Sequence, residues 1–269
     1  PAIQALRASV PGFEMQVPAP AAPKAYNLYR SVDGLSGEDL FQQLHQNTVP
    51  AARSTNPSYK ASKSFMYSKA DNVGCGNVPG VMTFYSQVCV KGSSDNGDNY
   101  KEQGDQNGDG VVDTLVNAEH LWPQSYFGKS LPMVADLHHL QSTFATPNGR
   151  RGNLRFCKVS GTPKYSTASG SKLGSNCYEP ADAVKGNVAR ALLYFVVRYY
   201  DRNIRQGMDY NAFWVQNVPM LLEWNRMDPP DANEKRRNDL IEGFQGNRNP
   251  FVDDYTLADR IGAQVLQSH

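Results

Sequence analysis

Apolar residues recur at helical spacing through most of the second half of the chain. Residues 181 to 203 carry the longest such pattern, and residues 209 to 227 carry another. A third predicted helix follows, with Asp228 as its N-cap and Pro229 at its first position, and runs towards Gln245. These spacings predict a largely helical C-terminal half, whose Met and aromatic side chains belong to the core.

The first half carries weaker patterns. Ser36, with Asp39 three residues later, predicts the start of a helix through LFQQLHQ, on which His45 is expected to be structural. Residues 49 to 103 are rich in loop-forming residues, and VMTFY and QVCV are their strand candidates. Short strands and long loops are therefore predicted here.

Two segments show no periodicity. Residues 1 to 25 are rich in Pro and Ala and indicate a linker or a strap on the surface. Residues 158 to 180 are rich in Ser and Gly and are predicted to be a loop.

Composition limits the number of domains and the classes of partner that the protein can have. With 269 residues, 40% of them hydrophobic, the chain can bury the core of one large domain or two small ones. The net charge of +1 gives no overall field that recruits a polyanion, so any nucleic-acid affinity must come from a local patch. No apolar run approaches the roughly 18 to 20 residues that span a bilayer, so no membrane partner is predicted. No signal peptide is visible, and a start at Pro1 indicates a processed or trimmed chain.

The 4 cysteines lack the CxxC spacing of a zinc or redox motif. Their even number, with Gly, Ser and Asn as neighbours, favours two disulfides and an oxidising compartment. Of the three possible pairings, Cys75–Cys89 with Cys157–Cys177 closes the shortest loops and is preferred. Four buried free thiols are the alternative. Two disulfides predict a secreted or periplasmic location.

Residues 105 to 113 read DQNGDGVVD, with oxygen-bearing side chains at positions 1, 3, 5 and 9 and glycine at position 6. This spacing wraps a loop around Ca²⁺. The predicted ligands are the side chains of Asp105, Asn107, Asp109 and Asp113 and the carbonyl of Val111. Position 12 is Val116, so the segment is not an EF-hand and is closer to the short calcium loops of extracellular proteins. We expect a structural Ca²⁺ here, with a solvated acidic turn as the alternative.

Residues 117 to 153 combine carboxylates, imidazoles and carboxamides. Glu119 directly precedes His120, and an NGRRGN run begins at Asn148. Mg²⁺ takes oxygen ligands and keeps most of its waters, so Glu119 and one amide oxygen could hold it. A neutral imidazole near pH 7 can take a proton from water. The cluster is consistent with a metal-dependent hydrolase, and a polar surface loop with core histidines is the alternative.

Several motifs occur together along the chain: EHLWPQSYFG, DLHHLQ, NGRRGN, KGNVARALLYFVVRYY, W-N-x-M-D-P-P, RRND and QGNRNPF. With these motifs, roughly residues 28 to 252 resemble the endonuclease I family, which are secreted or periplasmic nucleases with a ββα-metal active site. The resemblance implies an α+β fold. Its ββα-metal core, at about residues 115 to 157, would be embedded in a largely helical single domain of residues 26 to 269.

The resemblance also implies roles for individual residues. His120 matches the general base, Glu119 matches a Mg²⁺ ligand, and Asn148 matches the second ligand on the short helix of the ββα unit. Asp136 and His138 match supporting positions. The implied activity is Mg²⁺-dependent cleavage of DNA, with RNA as a further substrate class, without sequence preference and with 5′-phosphate ends. Mn²⁺ is expected to be able to replace Mg²⁺.

The chain departs from the family in the basic side chains near the site. The family carries an arginine on the hairpin that steadies the cleaved phosphate, whereas Lys129 is the only Lys or Arg between His120 and Asn148. Lys129, Arg150 or Arg151 is therefore expected to take that place, and a lysine offers a point charge without the bidentate fork.

A basic patch is predicted beside the site and suits phosphates rather than bases. It consists of Arg150, Arg151, Arg155 and Lys158. The short helix that carries Asn148 is expected to use Thr146 as N-cap and Pro147 as its first residue.

The residues leave two other functions open. One is a calcium-stabilised extracellular binding protein whose nuclease site has decayed, and the other is a small-molecule phosphodiesterase built on the same metal. No obligate protein partner is predicted.

Overall fold

The computed structural model describes residues 30–49, 57–92 and 116–269. Residues 1–25 and the predicted calcium loop, 105–113, lie outside these ranges. In chain order the helices are α1 (Gly37–Thr48), α2 (Tyr59–Phe65), α3 (Ala145–Arg151), α4 (Lys185–Tyr199), α5 (Tyr210–Phe213), α6 (Val218–Met227), α7 (Ala232–Gln245), α8 (Pro250–Asp253), α9 (Leu257–Ile261) and α10 (Ala263–Ser268).

The strands are short and form small sheets. They are β1 (Gly80–Met82), β2 (Cys89–Lys91), β3 (Val116–His120), β4 (Leu140–Phe144), β5 (Arg155–Phe156), β6 (Tyr165–Ser166), β7 (Lys172–Leu173) and β8 (Cys177–Glu179). β1 pairs with β2 and β3 pairs with β4, both antiparallel, and the remaining strands form a sheet in the order β5-β8-β7-β6. The helical, short-stranded architecture confirms the predicted α+β class.

Helix α4 lies at the centre of the larger hydrophobic core. Every residue of α4 except Asn187 is buried, as is typical of a helix surrounded by other elements on all sides. A smaller core holds the apolar side chains of the β3–β4 hairpin, among them Val116, Leu140 and Phe144. Met66 from the π-helical turn after α2 and Ile241 of α7 pack against them. The hairpin is therefore held by helices distant in sequence.

The second predicted helix, residues 209 to 227, is broken in the structure. It consists of α5, a 3₁₀ turn at Val215–Asn217, and α6. The break precedes Pro219, which has no backbone N–H and cannot extend a helix from the preceding turn.

The third predicted helix starts later than expected. Asp231, not Asp228, is its N-cap, and its side chain accepts a hydrogen bond from the N–H of Glu234 at 2.8 Å. Asp228 and Pro229 each precede a proline, a position that disfavours helical backbone angles, so the helix begins only after Pro230. The first predicted helix, residues 181 to 203, is also shorter in the structure and corresponds to α4.

The segment 158–180 is not the continuous loop that the sequence predicted. It contains β6, β7 and β8. Strands of two or three residues are too short to produce a recognisable alternation of apolar and polar positions. The structure joins Cys75 to Cys89 and Cys157 to Cys177, which is the preferred pairing. Within the described ranges, no helix is long and apolar enough to cross a membrane.

Gly186 lies where α4 contacts the residue that ends α6. Its N–H donates to the Asp228 carboxylate at 2.9 Å, and a β-carbon at position 186 would lie 1.9 Å from the Asp228 carbonyl oxygen. We expect Gly186→Ala to lower the free energy of unfolding by about 1–3 kcal/mol, because the two backbones must separate.

Gly243→Ala is the matched control for this prediction. Gly243 lies within α7, and a β-carbon there would meet no atom within 4 Å. This variant should gain up to about 1 kcal/mol from the higher helix propensity of alanine. Urea unfolding of both proteins checks the prediction, and a shift in the same direction for the two variants would contradict it.

Candidate active site

Strands β3 and β4 form a five-pair antiparallel ladder, from Val116 opposite Phe144 to His120 opposite Leu140. Helix α3 follows β4 directly, which produces the ββα order expected from the sequence. The helix begins earlier than predicted, with Phe144 rather than Thr146 as its N-cap. Pro147 therefore lies in the first turn, where a missing N–H costs no intrahelical hydrogen bond.

One face of β3 packs against α3. Asn117 and Glu119 are two residues apart and share that face, while Asn148 and Arg151 are one helical turn apart. Asn148 Nδ2 donates to Asn117 Oδ1 at 2.7 Å, and Arg151 Nη1 donates to Glu119 Oε1 at 2.7 Å. The two contacts hold the candidate ligands Glu119 and Asn148 together between the strand and the helix.

Glu119 is a buried carboxylate with two donors on one oxygen. Its Oε1 accepts from the Tyr85 hydroxyl at 2.6 Å as well as from Arg151. Burial raises the pKa of the Glu119 carboxyl above its ordinary value, and the Arg151 charge and the Tyr85 hydrogen bond offset part of that rise. Among the described residues, no side chain donates to Oε2.

The amide of Asn148 has a defined orientation. Besides its bond to Asn117, Nδ2 lies 3.4 Å from the carbonyl oxygen of Ala118. A carbonyl can only accept a hydrogen bond, so the amide nitrogen must face the strand. The amide oxygen is therefore directed away from the strand and is available to a ligand.

His120 is the last residue of β3, and its side chain is 5% exposed. Nε2 lies 2.9 Å from the carbonyl oxygen of Val134, so Nε2 must carry the proton. Burial, with His139 nearby, lowers the pKa of His120 to about 3, so the ring is neutral near pH 7. The unprotonated Nδ1 has no hydrogen-bond partner in the part of the chain that the structure describes, and it can accept a proton.

The neighbouring histidines are structural in their contacts. His138 Nε2 donates to the carbonyl of Asn247 at 3.0 Å, and His139 Nε2 donates to the carbonyl of Met133 at 2.7 Å. His45 Nδ1 contacts the carbonyl of Val197 at 2.8 Å, which ties α1 to α4.

Asp136 carries a buried network that supports the loop before β4. Its Oδ2 accepts from the hydroxyls of Tyr194 and Tyr199 at 2.8 and 2.7 Å, and Arg198 lies 3.3 Å away. Burial alone would raise the pKa of Asp136, but the Arg198 charge and the surrounding donors outweigh it and leave the pKa below its ordinary value. Because Oδ1 accepts the backbone N–H of His138 at 3.0 Å, the network orients the loop rather than the substrate.

The four residues of the predicted basic patch differ in their exposure and pairing. Arg150 is exposed, and its guanidinium carbon lies 5.6 Å from the Tyr165 ring centroid, whereas Arg155 is half-buried. Arg151 is fully buried, so it does not belong to an exposed basic patch. Lys158 lies 2.7 Å from both carboxylate oxygens of Glu223 and is already paired.

The donor set fits a small, hydrated cation. Within the described residues, no group of three or more His, Cys, Asp and Glu side chains could hold a metal. The candidate site instead offers one carboxylate oxygen of Glu119 and one amide oxygen of Asn148. Mg²⁺ keeps several waters and is often bound through one or two carboxylates, so these two oxygens are donors of the kind that it takes.

Residues 36–255 match the model of the Endonuclease I family. The chain belongs to this family. An extracellular ribonuclease of Bacillus amyloliquefaciens is 32% identical over 268 residues, covering 89% of this chain and 90% of the relative. An extracellular ribonuclease of Bacillus subtilis is 33% identical over 262 residues, covering 93% and 84%. A periplasmic deoxyribonuclease of Aeromonas hydrophila is 31% identical over 124 residues, covering 45% and 48%.

Membership of the endonuclease I family makes the protein a nucleic-acid hydrolase and confirms the resemblance inferred from its motifs. Two residues that contact the candidate ligands, Asn117 and Tyr85, were not identified from the sequence. Asn117 could have been inferred, because it lies two residues before Glu119 on the same strand face. Tyr85 is 34 residues from Glu119 in sequence, and no local pattern connects them.

Proposed function

We propose that this protein is a Mg²⁺-dependent, sequence-non-specific endonuclease that works in the extracellular space or periplasm. It hydrolyses phosphodiester bonds of DNA, and also of RNA, to products with 5′-phosphate ends. The observation that carries the proposal is that the ββα unit places Glu119 and Asn148 together, each with one oxygen left for a cation. The same unit places a neutral His120 at the end of β3.

His120 is the proposed general base. The Val134 carbonyl fixes its ring, so Nδ1 is the nitrogen that takes the proton from the attacking water. Because burial lowers the pKa of His120, the ring is neutral near pH 7 and Nδ1 is free to accept a proton. A Mg²⁺ ion held by Glu119 and Asn148, with Mn²⁺ as a substitute, would offset negative charge on the phosphate and on the leaving oxygen.

Water as the nucleophile has a consequence for substrate choice. It attacks phosphorus in line with the leaving 3′ oxygen and requires no ribose 2′-hydroxyl, so DNA and RNA can both react. The relatives support both substrates, since the two Bacillus proteins are named ribonucleases and the Aeromonas protein is named a deoxyribonuclease.

The proposed phosphate contacts are Lys129, Arg150 and Arg155. Lys129 is exposed and follows the 3₁₀ turn Gln124–Phe127, and Arg150 is the exposed neighbour of the buried Arg151. Contacts to phosphates carry no sequence information, so weak sequence preference follows.

A structural Ca²⁺ on residues 105 to 113 is also proposed, from the sequence alone. The ligands would be those named above, Asp105, Asn107, Asp109, Asp113 and the Val111 carbonyl. The segment precedes β3 in the chain, so its proposed role is to stabilise the approach to Glu119.

A nicking assay tests the proposed function. We expect the purified protein to nick supercoiled plasmid and to cut a matched RNA with Mg²⁺, and to do neither in EDTA. The nicks should be closed by DNA ligase without prior phosphorylation, because the 5′ ends carry phosphate. Asn148→Ala should be strongly impaired on both polymers.

Three results would count against the proposal. Intact plasmid and RNA at all Mg²⁺ concentrations would favour a binding protein with a decayed site. Hydrolysis of a small phosphodiester with both polymers intact would favour the phosphodiesterase alternative. RNA products ending in a cyclic phosphate would show that the nucleophile is the 2′-hydroxyl rather than water.

A further inference from the structure

We propose that Tyr85 sets the cation preference of the candidate site. Its hydroxyl, together with Arg151, occupies Oε1 of Glu119 and leaves that carboxylate one oxygen for coordination. The site then prefers the small, hydrated Mg²⁺ over Ca²⁺. This inference rests on the proposed metal site and adds what selects its cation.

The lone pairs of Oε1 are already used. The Tyr85 hydroxyl donates at 2.6 Å and Arg151 Nη1 donates at 2.7 Å to this same oxygen. A carboxylate oxygen offers about two lone-pair positions. Bidentate coordination of a cation by Glu119 would therefore require one of these donors to leave.

Both donors are fixed by other contacts. Arg151 is fully buried and donates to the carbonyls of His120 and Leu121 as well as to Glu119. Tyr85 is also fully buried, and its ring centroid lies 4.9 Å from that of Tyr178. Neither side chain can move away without losing packing or leaving buried groups unpaired.

The backbone of Tyr85 is anchored as firmly as its side chain. Its carbonyl oxygen accepts hydrogen bonds from three hydroxyls, those of Thr167, Ser169 and Ser171, at 3.2, 2.8 and 2.7 Å. These hydroxyls come from the segment between β6 and β7. The phenol is therefore held in place from two sides.

The two cations differ in what they need from the protein. Ca²⁺ takes six to eight oxygen ligands and often binds a carboxylate through both oxygens, whereas Mg²⁺ keeps several waters and uses one or two carboxylates. A site with one oxygen from Glu119 and one from Asn148 meets the second requirement. If Tyr85 no longer donated a hydrogen bond to Oε1, one lone pair of that oxygen would be free. Glu119 could then bind Ca²⁺ through both oxygens without displacing a donor.

The test measures cation binding directly. Mn²⁺ is titrated into the protein and followed by electron paramagnetic resonance, and the signal that Asn148→Ala removes defines the site. Mg²⁺ and Ca²⁺ are then used to displace that Mn²⁺. For the wild-type protein we expect displacement by Mg²⁺ at lower concentration than by Ca²⁺.

Tyr85→Phe removes the hydroxyl and keeps the ring. We expect the ratio of Ca²⁺ to Mg²⁺ affinity to rise about tenfold, the lower end of the change in metal affinity that follows when a hydrogen-bond partner of a metal ligand is altered. Tyr178→Phe is the matched control, because its ring packs beside Tyr85 and its hydroxyl donates no hydrogen bond to Glu119. That variant should leave the ratio unchanged.

The outcomes separate the two proposals. If Tyr85→Phe lost affinity equally for Mn²⁺, Mg²⁺ and Ca²⁺, the role of Tyr85 would be structural only, and the inference would be overturned. Preference of the wild-type protein for Ca²⁺ would overturn it without any Tyr85 variant, so the test holds even if Tyr85→Phe fails to fold. Mn²⁺ binding that does not depend on Asn148 would remove the metal site itself and with it both proposals.

Discussion

Replacing His120 by alanine is expected to lower the rate of phosphodiester cleavage by about 10²–10⁴-fold, the usual contribution of a positioned general base. The loss should appear in kcat, with little change in KM, because the ring acts on the attacking water and not on the substrate phosphates. Steady-state kinetics on plasmid and on RNA, with circular dichroism as a check of folding, measure the effect.

His45→Ala is the control histidine variant for this prediction. His45 makes a structural contact to the Val197 carbonyl and lies on α1, outside the ββα unit. It should cleave at close to the parent rate. Near-parental cleavage by the His120 variant would show that another group takes the proton, and the buried His139, with Nδ1 unpartnered, would then be examined.

Arg151→Ala is expected to lower the free energy of unfolding by about 3–5 kcal/mol, the cost of leaving one member of a buried ion pair alone. Glu119 is 3% exposed, and the guanidinium that neutralises it is fully buried. The same guanidinium also serves the carbonyls of His120 and Leu121, so the substitution leaves several acceptors without donors. Urea unfolding at neutral pH measures the change.

Arg150→Ala provides the comparison one residue away. Arg150 is exposed, and a surface substitution usually changes stability by no more than about 0.5 kcal/mol. This variant should keep the stability of the parent and bind nucleic acid more weakly, with a smaller dependence on salt. Equal stability of the two arginine variants would show that the Arg151–Glu119 pair contributes little.

The adjacent arginines show where sequence reasoning is limited. Arg150 and Arg151 lie in one basic run, and both were expected to contact substrate. On a helix, consecutive residues point about 100° apart, so one of the two faces solvent while the other faces β3. Composition identifies the run as basic, but only the packing of α3 against the strand decides which charge is buried.

Helix positions could be predicted to the extent that the signals are local. The patterns located the helices at residues 37–48, 185–199 and 232–245, because amphipathic spacing and capping residues act within a few positions. The start of α7 was misplaced, although Pro229 and Pro230 carry the information in the sequence itself. The two- and three-residue strands of residues 155–179 were missed because their stability comes from partners in the sheet.

The sequence by itself indicated the family through its motifs and favoured the disulfide pairing that closes the shortest loops. The resemblance to that family then named the candidate base and ligands, since adjacent residues such as Glu119 and His120 form a local motif. The tertiary structure decided which atoms of those residues are left for the proposed roles. Val134 selects Nδ1 of His120, Asn117 turns the amide of Asn148, and Tyr85 occupies one oxygen of Glu119. Hydrogen bonds depend on distances of about 3 Å between groups brought together by folding, and no local pattern encodes such distances.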